Sequence, residues 1–268
     1  MFGLEKRRRN RIKGEPFPAA WSEVLIGIPV YRAVNEEDRA ELRGHIAVFL
    51  DEKTFEGCAG LVITDLIRVT VAAHACILLL RRETDYYPNC NTILIYPEEY
   101  IAKGKMMGPG GMVIETEQVR AGESWQGAFA PMSGGPVVLS WRSVKVGAHC
   151  PNDGNNVVFH EFAHQLDSES GGMDGAPRLD QRSQYIPWAR VLGSEYEALV
   201  RASGDGHGTL INPYGATNPP EFFAVCTEFF FERGRELRAR HPALYEQLAV
   251  YYKQDPAGWN VAAACETS

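Results

Sequence analysis

The run VVFHEFAHQLD at 157–167 constrains this chain more than any other feature. His160 and His164 stand four residues apart. On a helix they share one face, with Cβ atoms roughly 5–6 Å apart. Glu161 is turned from His160 by about 100°. The flanking Val157, Val158, Phe159, Phe162, Ala163 and Leu166 are apolar, so such a helix is buried on most sides. Two imidazoles and a carboxylate in that setting need partners, because unpaired buried polar groups are costly. One zinc ion per chain would supply them, held by nitrogens at about 2.0–2.1 Å. Glu161 could then take the proton of a water polarised by the metal. With 7 histidines in 268 residues, HExxH arises by chance roughly 0.02 times in such a chain. The plainer alternative is two satisfied core histidines, with Glu161 as a cap.

A zinc peptidase needs a third protein ligand and an open position, whereas a structural zinc is fully coordinated. The arrangement HExxHxxGxxH is excluded, since Asp167 and Ser170 stand where its glycine and histidine would be. The ligand must come from downstream, among Glu195, Glu197, Glu221, Glu228 and Glu232. Glu221, Glu228 and Glu232 fall at i, i+7 and i+11, one face of a helix from Glu221 to about Arg233. Phe222, Phe223, Val225, Phe229 and Phe230 make that helix apolar, so the acidic stripe is buried. Glu221 is the favoured ligand. Its rival role is a capping box with Asn218 across Pro219 and Pro220. Glu228 is the alternative ligand, or else a hydrogen-bond partner for a ligand histidine. Asp167, three residues after His164, is a second candidate for orienting a ligand. Tyr214 lies in the loop INPYGAT, where a phenol near the metal would stabilise an oxyanion; an ordinary loop tyrosine is the bland reading. His207 is expected to be exposed, and the glycine-rich loop 203–208 is a candidate lid.

Around these residues the chain reads as α+β, with helices at both ends and strands between. Residues 1–18 form a basic arm, expected to be mobile; 19–255 form a single domain; 256–268 form a tail. Asn35 caps a helix with an acidic first turn, and Thr64 caps a central apolar helix through Leu80. Strands are expected over 92–96, 113–119 and 136–146, the last from its alternation of Val138, Ser140, Arg142 and Val144, with a turn at 108–111. A helix over 243–253 closes the domain. An extended peptide would pair with an edge strand at 137–144.

The net charge of −7 argues against a global grip on nucleic acid. No apolar run is long enough to span a bilayer, and no secretory signal follows the basic run. Six cysteines without a CxxC pair read as free thiols in a reducing compartment, so a cytoplasmic chain is expected.

HEFAHQLD at 160–167 and INPYGATNPPEFFAVCTEFFFE at 211–232 resemble the Mlc titration factor A family of bacterial zinc peptidases. The match takes in the basic arm, the apolar helix ending LLLRR and nearly all of 90–255. The same spacing is similar to the catalytic core of anthrax lethal factor. The resemblance implies a zincin-like metallopeptidase fold, its active-site helix packed on a small mixed sheet. It implies Glu221 rather than Glu228 as third ligand, and Tyr214 as oxyanion stabiliser. It also implies aminopeptidase-like hydrolysis of peptides, cytoplasmic location and a repressor of the Mlc kind as partner. A monomer is expected. The competing function is a titrating protein that sequesters a regulator, with hydrolysis incidental.

Overall fold

A computed structural model describes residues 2–107, 113–120, 122–124 and 135–259, and the side chains of 3–99 and 135–259. In chain order the elements are α1 (Phe2–Lys13), α2 (Ala19–Gly27), α3 (Pro29–Ala33), α4 (Glu36–Glu52), β1 (Thr54–Gly57), α5 (Asp65–Ile77), β2 (Thr92–Tyr96), β3 (Tyr100–Met107), β4 (Val113–Arg120), β5 (Gly122–Ser124) and β6 (Val137–Ser140). There follow α6 (Trp141–His149), α7 (Val157–Ser168), α8 (Tyr185–Gly204), α9 (Pro219–Glu232), α10 (Gly234–Arg240) and α11 (Pro242–Tyr252). The architecture is α+β. The turn expected at 108–111, Cys265 and most of the tail lie outside the described residues.

One sheet has the order β1-β2-β6-β5. Its first three strands are parallel, and β5 runs antiparallel to β6. The hairpin β3–β4 forms a separate two-stranded sheet. Helix α5 is largely apolar and is buried continuously from Val69 to Ile77. It packs against α2, α4, α6 and α7, as the central helix of the fold. Thr64 caps it by accepting from Ile67 N. It stops at Ile77 rather than Leu80. There the chain tightens into i→i−3 bonds, and Arg81 turns to a φ of 61° to reach Asp38 in two hydrogen bonds of 2.8 and 2.9 Å.

Three expectations need correction. Residues 141–146 are helical, because Ser140 accepts from Ser143 N and starts α6, which buries Val144, Gly147 and Ala148. The short apolar–polar alternation fitted both periods. Strand β6 is internal, between β2 and β5, so it offers no free edge for a peptide. The basic arm is not a loose tail. Arg8 pairs with Asp51, and Arg9 pairs with Glu52 at 2.7 Å and Asp85 at 3.1 Å while lying over the Tyr86 ring. Asp51 and Glu52 crowd the negative end of α4, where cations are stabilising.

Cys58, Cys76, Cys90 and Cys226 are free. Cys150 is disulfide-bonded, contrary to the expectation of free thiols. Among the described residues no helix is long and apolar enough to cross a membrane. The first two residues of the candidate lid, Ser203 and Gly204, are the end of α8; His207 beyond it is exposed.

Candidate metal centre

The local sequence fixes where α7 begins. Asn156 Oδ1 accepts from Val158 N and Phe159 N, both at 3.2 Å, closing two of the helix's orphan donors. Below the helix, Phe162 meets Tyr87 at 4.7 Å and Phe49 at 5.6 Å between ring centroids. Phe159 meets Phe231 at 5.1 Å and the buried imidazole of His74 at 5.4 Å. This apolar seat turns His160 and His164 toward α9, the helix against which α7 packs.

Helix α9 starts at Pro219 and Pro220, and Asn218 Oδ1 accepts from Glu221 N at 2.9 Å. The Glu221 backbone thus belongs to the cap, while its carboxylate reaches the histidines. His160 Nε2 lies 3.0 Å from Glu221 Oε2, His164 Nε2 lies 3.4 Å from the same oxygen, and the two Nε2 atoms are 3.2 Å apart. A tetrahedral metal with ligands at about 2.0–2.1 Å has edges of about 3.3 Å between them. The three sides therefore match one face of such a tetrahedron. These three are the group of metal-ligating side chains that converges among the described residues.

Proton accounting points the same way. His160 Nδ1 lies 2.8 Å from Glu228 Oε1. A carboxylate accepts only, so Nδ1 carries the hydrogen. A neutral His160 then presents its Nε2 lone pair to Glu221, another acceptor, and something positive must sit between them. Burial opposes charge on His160, but the hydrogen bonds it donates to Glu221 and Glu228 overcome that and raise its pKa well above the usual value. Burial alone would raise Glu221, yet His160 and His164 hold it well below the usual carboxylate range. A bound cation satisfies the same set. The donors, two imidazole nitrogens and one carboxylate oxygen without thiolate, fit zinc.

The acidic stripe of α9 supports the site in steps. Glu228 receives His160 Nδ1 on one oxygen and Asn156 N on the other. Glu232 accepts from Gly154 N at 3.0 Å and Asn156 Nδ2 at 3.1 Å, which fixes the turn leading into α7. Burial, opposed by the Asn156 bond and aided by Asp153 and Glu228, pushes the Glu232 carboxyl up. The supporting roles of Glu232 and Asn156 were not anticipated. The signal for Glu232 was present in its i+4 relation to Glu228. Gly154, at φ 82°, has no room for a side chain, since a Cβ would stand 2.7 Å from Phe229.

Glu161 is 5% exposed and close enough to His160 to favour its charge. Tyr214 is brought to the same place, its ring centroid 5.9 Å from that of His160. It stands in a short 3-10 turn in which Asn212 Oδ1 accepts from Tyr214 N at 3.0 Å. Asn212 also donates to Asn155 Oδ1 at 3.2 Å, joining the Tyr214 turn to the entry of α7. Tyr214 is 53% exposed. Asp167 is fully buried, and its hydrogen bond goes to Gly175 N at 2.9 Å, in the loop after α7, rather than to a ligand histidine. Burial pushes its carboxyl up to about 6.

A family model described as glucose-regulated metallo-peptidase M90 matches residues 4–253. An "uncharacterized protein" of Synechocystis sp. is 41% identical over 251 residues, 93% of this chain and 89% of that protein. Proteins named Mlc titration factor A from Yersinia pestis and Yersinia pseudotuberculosis are each 29% identical over 242 residues, 89% of this chain and 85% of their own.

Proposed function

The chain belongs to the glucose-regulated metallo-peptidase M90 family, and from that premise we propose that it is a zinc-dependent peptidase with an HExxH site. In this reading His160, His164 and Glu221 hold one zinc ion, Glu161 is the general base, and α7 with its small sheet forms a zincin-like core. The observation that carries it is the triangle of 3.0, 3.2 and 3.4 Å between two imidazole nitrogens and one carboxylate oxygen, the spacing of one face of a zinc tetrahedron.

When bound, the zinc supplies Lewis-acid polarisation of the scissile carbonyl and of the attacking water. Glu161 takes the proton of that water and passes it to the leaving amine nitrogen. Tyr214 donates a hydrogen bond to the carbonyl oxygen as negative charge gathers there. Glu228 holds His160 by its Nδ1–H and so keeps Nε2 as the ligating atom. Asp167 serves the site from behind α7. Peptides are the substrates, and aminopeptidase-like cleavage is the proposed mode.

The relatives named Mlc titration factor A favour a second activity, binding of a transcriptional repressor of the Mlc kind. In this reading the chain works in the cytoplasm, as a monomer that makes no direct contact with nucleic acid. If hydrolysis is incidental, this binding is the function.

The variant Glu161→Gln tests both readings. It should keep its zinc and lose about 10²–10⁴-fold in hydrolysis of free-amino aminoacyl chromogenic substrates. Wild-type rates in this variant would refute the mechanism. A cellular effect that survives the substitution would make repressor binding the function.

A further inference from the structure

Two helices meet at the metal centre, and their relative placement must be held to about 0.5 Å for three ligand atoms to converge. The buried face behind the ligands shows what holds it. Asp167 sits one turn beyond His164, fully buried, with Oδ2 accepting from Gly175 N at 2.9 Å. Gly175 adopts a φ of 78°. A Cβ there would lie 2.6 Å from the Pro219 carbonyl oxygen and 2.9 Å from its carbon, so the Gly175 backbone bears directly on Pro219. Trp188, 3% exposed, donates from Nε1 to Gly175 O at 3.0 Å and holds that residue from its other side. Pro219 is the first residue of α9, and Glu221 follows two residues later.

We propose that Asp167, Gly175 and Trp188 form a clamp between the helix carrying His160 and His164 and the first turn of the helix carrying Glu221, and that the clamp sets metal affinity through Glu221. Asp167 is a positioning residue here. Its Oδ2 bonds to the loop, and its Oδ1 is buried without a hydrogen bond among the described residues. A carboxylate is costly to bury so sparsely partnered, and the clamp gives it a task that stability alone does not. Gly175 is required twice, by its left-handed backbone and by the approach to Pro219. The proposal rests on the zinc reading above.

The test is zinc affinity, measured by competition with a chromophoric chelator, for wild type, Asp167→Ala, Asp167→Asn, Gly175→Ala, Trp188→Phe, Glu221→Ala and the double variant Asp167→Ala/Glu221→Ala. Thermal stability of each metal-free protein is recorded alongside. Asp167→Ala should bind zinc about 10–100-fold more weakly. Asp167→Asn, which can still accept from Gly175 N, should bind close to wild type. Trp188→Phe, which keeps an aromatic ring but loses the donor and part of the indole's bulk, should weaken zinc binding less than Asp167→Ala and so decides the matter if Gly175→Ala does not fold. Asp167→Ala should add no further loss once Glu221 is gone. A merely structural residue would lower stability equally in both backgrounds and leave that double-variant comparison additive. Wild-type affinity in both Asp167→Ala and Trp188→Phe, or an equal loss with and without Glu221, would overturn the clamp while leaving the metal site standing. Zinc-free wild type would instead overturn the reading on which it rests.

Discussion

Replacing His74 by Gln should flatten the acid limb of the stability curve. His74 is 2% exposed on α5, its Nδ1 donating to Thr70 O at 2.9 Å and its ring against Phe159 of the ligand helix. Burial lowers its pKa from 6.5 to about 4, only partly offset by the Thr70 bond. The folded protein therefore holds His74 neutral, while the unfolded chain takes up a proton below 6.5. Stability falls wherever the unfolded state binds more protons as pH drops. The penalty is absent above 6.5, grows through the window from 6.5 to about 4, and levels off below it at about 3 kcal/mol. Between pH 7.5 and 4.5 wild type should lose about 2.5 kcal/mol more than His74→Gln. The assay is urea unfolding of both metal-free proteins at the two pH values, so that groups common to both cancel. Equal losses would refute the reasoning and mean that His74 already charges in the folded state.

Glu228→Ala removes the acceptor of His160 Nδ1 and should weaken zinc binding about 10–100-fold, measured by chelator competition. Asn156→Ala removes the cap of α7 and orphans a buried oxygen of Glu232, and should cost about 2–4 kcal/mol in denaturant unfolding. Tyr214→Phe should keep its zinc and lower kcat about 10²–10³-fold with little change in KM, read from steady-state hydrolysis.

The parts legible in the sequence were those fixed by local spacing. His160 and His164 share a face because four residues make one helical turn, and the acidic stripe of α9 follows from the same arithmetic. Asn35, Thr64 and Asn218 each cap a helix, as their side chains dictate. Glu221 was favoured over Glu228 from the residues and again by a resemblance, although both lie on the same face; in the structure Glu221 faces both Nε2 atoms and Glu228 faces Nδ1. Long-range pairing was not legible. The docking of Arg8 and Arg9 on the end of α4 joins residues 43 apart. The contact of Gly175 with Pro219 needs a loop to fold back with positive φ, which no pattern around Asp167 announces. The disulfide at Cys150 likewise follows no spacing motif. Residues 136–146 misled because four alternating positions cannot separate a strand from the start of a helix, and the Ser140 cap was the better clue.

The central claim is that three side chains from two helices hold a metal. Metal content of purified wild type and Glu221→Ala, each dialysed without chelator and analysed by atomic emission, tests it most directly. The account predicts about one zinc per chain in wild type and its loss in the variant, as expected for removal of one of three protein ligands. Zinc-free wild type, or full zinc retention in Glu221→Ala, would contradict it.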